Sequence, residues 1–172
     1  MKSPLARQAK RILTELGITE IPIPVEKIAE KLGAKLSYEP FEGQEDISGV
    51  LYRKDSHVVI GINSTHVKAR QRFSIAHEIG HLVMHKGALF VDKTVRFNRD
   101  ANSSKAVDPR EIQANQFAAE LLMPEELVAN EVSKRLKKKG KYSQQLLVEE
   151  LATTFGVSAQ SMEFRLINLG IL

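Results

Sequence analysis

Arg72-Phe73-Ser74-Ile75-Ala76-His77-Glu78-Ile79-Gly80-His81-Leu82-Val83-Met84-His85 is the stretch on which the reading of this chain turns. Its apolar residues Phe73, Ile75, Ala76, Ile79, Leu82 and Val83 lie all around a helix, the pattern of a helix that crosses a protein's interior. Within it His77, Glu78 and His81 make a H-E-x-x-H spacing. Residues four apart stand one above the other on a helix, so both imidazoles can reach one zinc ion at about 2.0–2.1 Å. Glu78 is off that line, placed to take a proton from a water that zinc has acidified. Ionisable groups in so apolar a segment need partners, and a metal supplies them. The spacing fits peptide hydrolysis. The bland alternative is two His and a Glu on an exposed stripe.

A catalytic zinc keeps three protein ligands and an open position. His85 is two turns beyond His77, about 12 Å along the axis, too far for one metal to be shared by all three rings. It reads as a helix C-terminal residue, where positive charge is favoured. His57 and His66 have no motif around them and read as structural. Glu111 is the better candidate, because Glu111, Ala114, Asn115, Ala118, Leu121 and Leu122 share one mostly apolar face of a helix. Spacing alone leaves Glu111 open between two roles: a ligand, or the far member of a capping box led by Asp108. Asn115 could hydrogen-bond a ligand and orient it, or be an ordinary buried amide bonded to backbone.

The block Arg72–His85, followed by Glu111-x-x-Ala114-Asn115-x-Phe117-Ala118-Ala119-x-Leu121-Leu122-Met123-Pro124, closely resembles the ImmA/IrrE family of metallo-endopeptidases. Ile47-Ser48-Gly49 and Gly61-Ile62-Asn63 fit as well, and the resemblance runs from about residue 5 to 169. It implies a zincin-like fold, with His77, His81 and Glu111 as ligands of one Zn2+ and Glu78 as catalytic base. It also implies a protein substrate, a helix-turn-helix repressor whose cleavage releases genes of mobile-element transfer, stress response or toxin–antitoxin control. Gln113 is a departure, standing where family members often carry an acidic residue.

Outward from these blocks the text reads as α+β. Apolar spacing marks helices over 5–16 and 25–32. Short β-branched runs at 34–38, 48–52 and 58–62 mark a small sheet of about three strands, expected to be antiparallel. Asn63 and Ser64 are N-cap candidates for the long helix running to about His85. Asp108-Pro109 restarts a helix to Leu122, and further helices follow over 125–138, from Ser143 to Gly156, and from Ser158 to Leu169. Residues 88–107 are mostly polar and lie between the two ligand helices, where they are expected to close over substrate. The organisation expected is a zincin-like metallopeptidase core over 1–124 and a helix-turn-helix-like module over 125–172.

Composition is that of an ordinary globular chain: 172 residues, 42% hydrophobic and 27% charged. Cysteine is absent, so any metal must be held by His, Asp or Glu. No apolar run approaches the roughly 18–20 residues of a membrane span, and none follows the basic N-terminus as a signal peptide requires. A soluble cytoplasmic protein with no membrane partner is expected. The net charge of +4 is concentrated at 134–141, a run that reads as a solvated helix end. Residues 147–166 look like helix, tight turn, helix, yet the second helix offers phosphate only Arg165 and sets Glu163 beside it. DNA binding is thus the lesser reading. The competitor to a peptidase is a non-catalytic DNA- or partner-binding regulator on a zincin scaffold, which would have no need of Glu78. For an oxyanion-stabilising group, Tyr52 and Arg72 are candidates by proximity in sequence alone.

Overall fold

The computed structural model describes residues 3–93, 108–137 and 143–172. In chain order the described elements are α1 (Pro4–Glu15), α2 (Val25–Lys31), β1 (Ala34–Glu39), β2 (Ile47–Lys54), β3 (His57–Asn63), α3 (Lys68–Met84) and β4 (Leu89–Lys93). They continue with α4 (Pro109–Leu122), α5 (Glu125–Leu136), α6 (Gln144–Phe155) and α7 (Ala159–Asn168). The class is α+β.

The sheet has a fourth strand beyond the three expected, and it is mixed rather than antiparallel. Its order is β1-β3-β2-β4. β2 and β3 form the hairpin that their sequences suggest, with Leu51 opposite Ile60. β1 lies parallel to β3 on the far side of the hairpin, and β4 lies antiparallel along the other edge of β2. β4 is five residues at the head of the polar 88–107 segment, and the remainder of that segment lies outside the described residues.

Gly49, Leu51 and Arg53 alternate onto one face of β2, and that face meets α3. α4 packs across the other side of α3, and α1 packs on α4. α3 therefore runs through the middle of the protein. Residues 74 to 81 are buried without interruption, as its all-round apolar text requires. Its start differs from the sequence expectation. The N-cap is Val67, with no side-chain bond, because Asn63 is drawn into other work. The Asn63 Oδ1 accepts from the Thr65 amide at 3.1 Å, and its Nδ2 donates to the Ile47 carbonyl at 3.0 Å. The α3 C-terminus is held by Arg53, whose guanidinium donates to the carbonyls of His81, Leu82, His85 and Gly87 at 2.8–2.9 Å. One guanidinium thus ties together carbonyls of the last turn of α3 and of the chain just beyond it.

One cluster of buried apolar side chains extends from Leu13 through Ile60, Ile75 and Leu121 to Leu151 and Leu166. It crosses position 124/125, where the sequence reading divides the chain. Arg165 of α7 is buried and donates to the Glu120 carboxylate and the Met123 carbonyl of the preceding part. No described helix is long and apolar enough to cross a membrane.

Candidate metal centre

His77 and His81 occupy successive turns of α3, and their Nε2 atoms face each other at 3.0 Å. Glu111, at the start of α4, closes the triangle. Its carboxylate oxygens lie 3.1 Å from the His77 Nε2 and 3.2 Å from the His81 Nε2. Asp108 caps α4 through the Arg110 amide, so Glu111 is turned to the histidines and away from the helix end. The Glu111 carboxylate faces the histidine pair.

The approach of α4 depends on Gly80. A Cβ there would stand 3.1 Å from the Phe117 ring and 3.2 Å from the Ala114 Cα, tighter than packed atoms comfortably tolerate. The absent side chain lets the two helices close, which carries Glu111 and Asn115, on either side of Ala114, to the histidine pair. Asn115 Oδ1 lies 2.9 Å from His77 Nδ1. An amide oxygen only accepts, so His77 carries its proton on Nδ1.

Glu78 has no such partner. Both of its oxygens are buried and hydrogen-bonded to nothing. Gly49 of β2 makes the space, since a Cβ there would come within 2.9 Å of the Glu78 Oε1. Burial pushes the Glu78 carboxyl up to about 8, with nearby Asp92 and Glu111 adding to the rise and His77 opposing it. Burial also disfavours a charge on His77, but the hydrogen bond to Glu111 and the surrounding carboxylates outweigh it and raise that ring to about 9. For Glu111, burial is overcome by the bonds to both histidines, and its carboxyl falls to about 2. The site wants a positive charge at its centre.

Could that charge be a metal ion? His77, His81 and Glu111 each offer a ligand atom, all within 4.8 Å of one another. Two imidazoles and a carboxylate are the donor set of open zinc sites, and the unpartnered carboxylate alongside is what remains when such a site is built around a cation. The residues fit a metal.

A family model described as Peptidase_M78, IrrE N-terminal-like domain, matches residues 29–167. The chain belongs to the ImmA/IrrE family. The match takes in every residue of the centre and implies a function of metallopeptidase type, and the α+β architecture is that of a zincin-like fold. Comparison with curated proteins finds no match.

Other residues singled out in this ImmA/IrrE sequence fall elsewhere. Arg72 donates to the carbonyls of Gly156 at 3.0 Å and Ile23 at 2.8 Å, tying α3 to the end of α6 rather than facing the centre. Tyr52 is exposed, on the sheet face away from α3. His57 is exposed, and His66 lies against the Glu45 carbonyl at 3.3 Å. Sequence reading passed over Asp92, whose carboxylate lies within 4.8 Å of ligand atoms of His77 and Glu78. Burial raises its carboxyl above the ordinary value, with Arg70 among the groups that oppose the rise. The alternation Phe90-Val91-Asp92 was the available signal. Phe90 stacks on His81 at 4.4 Å between ring centres, and Asp92, two residues on, shares its face. Also passed over was the partner of His85, whose Nδ1 lies 3.0 Å from His81 Nδ1.

Proposed function

We propose that this ImmA/IrrE chain is a zinc-dependent endopeptidase in which His77, His81 and Glu111 hold the metal, Glu78 is the general base, and Asn115 orients the His77 ring. The observation that carries this reading is the buried, unpartnered Glu78 carboxyl beside two converging imidazoles and a second acidic group, Glu111. A mere scaffold would have no use for it, since burying a polar group without a hydrogen-bond partner costs free energy. Zinc in the centre would acidify water and polarise a peptide carbonyl. The chain's own groups do the rest. Asn115 holds the Nδ1 side of the His77 ring and so keeps its Nε2 turned toward Glu111 and His81. Gly49 leaves Glu78 the room to receive a proton, and burial lets that carboxyl keep it until it passes to the leaving amine.

The substrate is a helix-turn-helix transcriptional repressor, cut in the cytoplasm to release mobile-element, stress-response or toxin–antitoxin genes. Resemblance to the family over most of the chain supports this. The competing regulator reading draws little from the described residues. Arg165 is buried against Glu120, while Lys134 and Arg135 of the basic run lie against Glu131.

The test is direct. Wild type and Glu78→Gln are incubated with zinc and with each helix-turn-helix protein encoded beside the gene, and fragments are read by mass spectrometry. A cut made by wild type alone supports the proposal. No cut in any candidate, or equal cutting by the variant, contradicts it.

A further inference from the structure

His77 and His81 stand four residues apart on α3, and His85, the C-cap four residues further on, is too far along to join them at a metal. Its ring nevertheless does not hang free. Nδ1 of His85 lies 3.0 Å from Nδ1 of His81, and Nε2 of His85 lies 3.0 Å from Oε1 of Gln113 on α4.

We infer that Gln113 and His85 form a relay that fixes the proton of His81 on Nδ1 and thereby sets how tightly the centre grips its metal. The inference rests on the metal site proposed above, and it concerns residues outside the ligand set. The direction of each bond follows from chemistry. An amide oxygen only accepts, so His85 must carry a proton on Nε2 to bond Gln113. A neutral His85 then has a bare Nδ1, which can only accept from His81. His81 therefore donates through Nδ1, which leaves Nε2 as the nitrogen it can offer to a metal. That nitrogen faces His77 Nε2 and Glu111, at 3.0 and 3.2 Å.

The two histidines are thus served alike but by different routes. His77 bonds an acceptor of α4 directly, through Asn115, while His81 reaches one through His85. A role for His85 as a simple helix end does not account for its ring. Its backbone alone makes the capping contacts, the amide donating to the His81 carbonyl and its own carbonyl accepting from Arg53. Partners of this kind fix the tautomer and aim of a metal-binding ring, and losing one typically weakens metal binding about 10–100-fold.

Zinc affinity, measured by competition with a chromophoric chelator, tests this without any substrate. His85→Leu should bind zinc about 10–100-fold more weakly than wild type. His85→Asn, which sets an amide oxygen near the former Nδ1, should regain most of that loss. Gln113→Leu should weaken binding in the same direction by less, and adding it to His85→Leu should change nothing further. A purely structural role for His85 would give no rescue by Asn. Nitrogen-15 NMR of the zinc-loaded wild type reads the tautomers themselves, expected as Nδ1–H on His81 and Nε2–H on His85, and it decides the matter if the Leu variant does not fold. One zinc in wild type with equal affinity in His85→Leu, or a proton on Nδ1 of His85, overturns the relay and leaves the metal site standing. No zinc in wild type overturns the site and the relay with it.

Discussion

Two parts of this chain announce a motif in their sequence, and the structure treats their polar groups in opposite ways. Where α3 meets α4, polar groups are gathered and left unresolved: two Nε2 atoms face each other at 3.0 Å, and Glu78 is buried with neither oxygen bonded. Across α6 and α7, the helix-turn-helix-like text, the polar groups are resolved internally. Arg165 is fastened to Glu120 and Met123, and Arg135 of α5 is held by Glu131, Glu150 and Thr154. A motif whose charges already have partners is doing the work of folding. One whose buried charges lack them is waiting for something from outside, because a fold rarely tolerates an orphaned carboxylate without a reason.

That contrast can be broken experimentally. The largest effect expected is at Glu78. Glu78→Gln should lose about 10²–10⁴-fold in cleavage rate, the usual reach of a general base, while zinc content stays at the wild-type level. A variant that cut normally would show the orphaned carboxylate to be an accident of packing. Arg165→Ala should do the reverse, lowering stability in urea by about 3 kcal/mol by opening a buried pair, with zinc affinity unchanged. If it instead abolished DNA binding in a fold of normal stability, α7 would be a recognition helix after all.

Proton competition sharpens the comparison further. With the metal absent, His77 holds its proton up to about pH 9 rather than losing it near the ordinary value. Zinc must displace that proton, so affinity should keep rising as pH increases from 6.5 toward 9, by up to about tenfold per unit. Affinity that levels off by pH 7 would mean the surrounding carboxylates do not act on His77 as described. Gly80→Ala is the smallest change, expected to lower stability by about 1–3 kcal/mol as α4 is pushed from α3. It should weaken zinc binding at the same time, since Glu111 and Asn115 move with α4.

Much of this was legible in the sequence, for identifiable reasons. Caps and breakers act locally, so Asp108-Pro109 and the serines at 143 and 158 placed the helices they begin. The spacing of His77 and His81 is a property of one helix, and the structure brings Glu111 to them as the family resemblance implies. Several features were misread because what decides them lies in the surrounding fold. Asn63 looks like a helix cap until Thr65 and the Ile47 carbonyl claim its side chain. β1 pairs parallel to β3 while β4 takes the other edge of the hairpin, pairings that no single stretch of sequence announces. β4 is too short and too close to polar text to stand out alone, which hid Asp92 with it. Gln113 gave no hint of His85, 28 residues away.

The measurement that bears most directly on the central claim is the zinc content of purified protein, by elemental analysis, for wild type and Glu111→Ala. One zinc per chain in wild type, lost or greatly weakened when the Glu111 carboxylate is removed, is the result this account requires. Wild-type protein that carries no zinc and takes up none when it is supplied would contradict it.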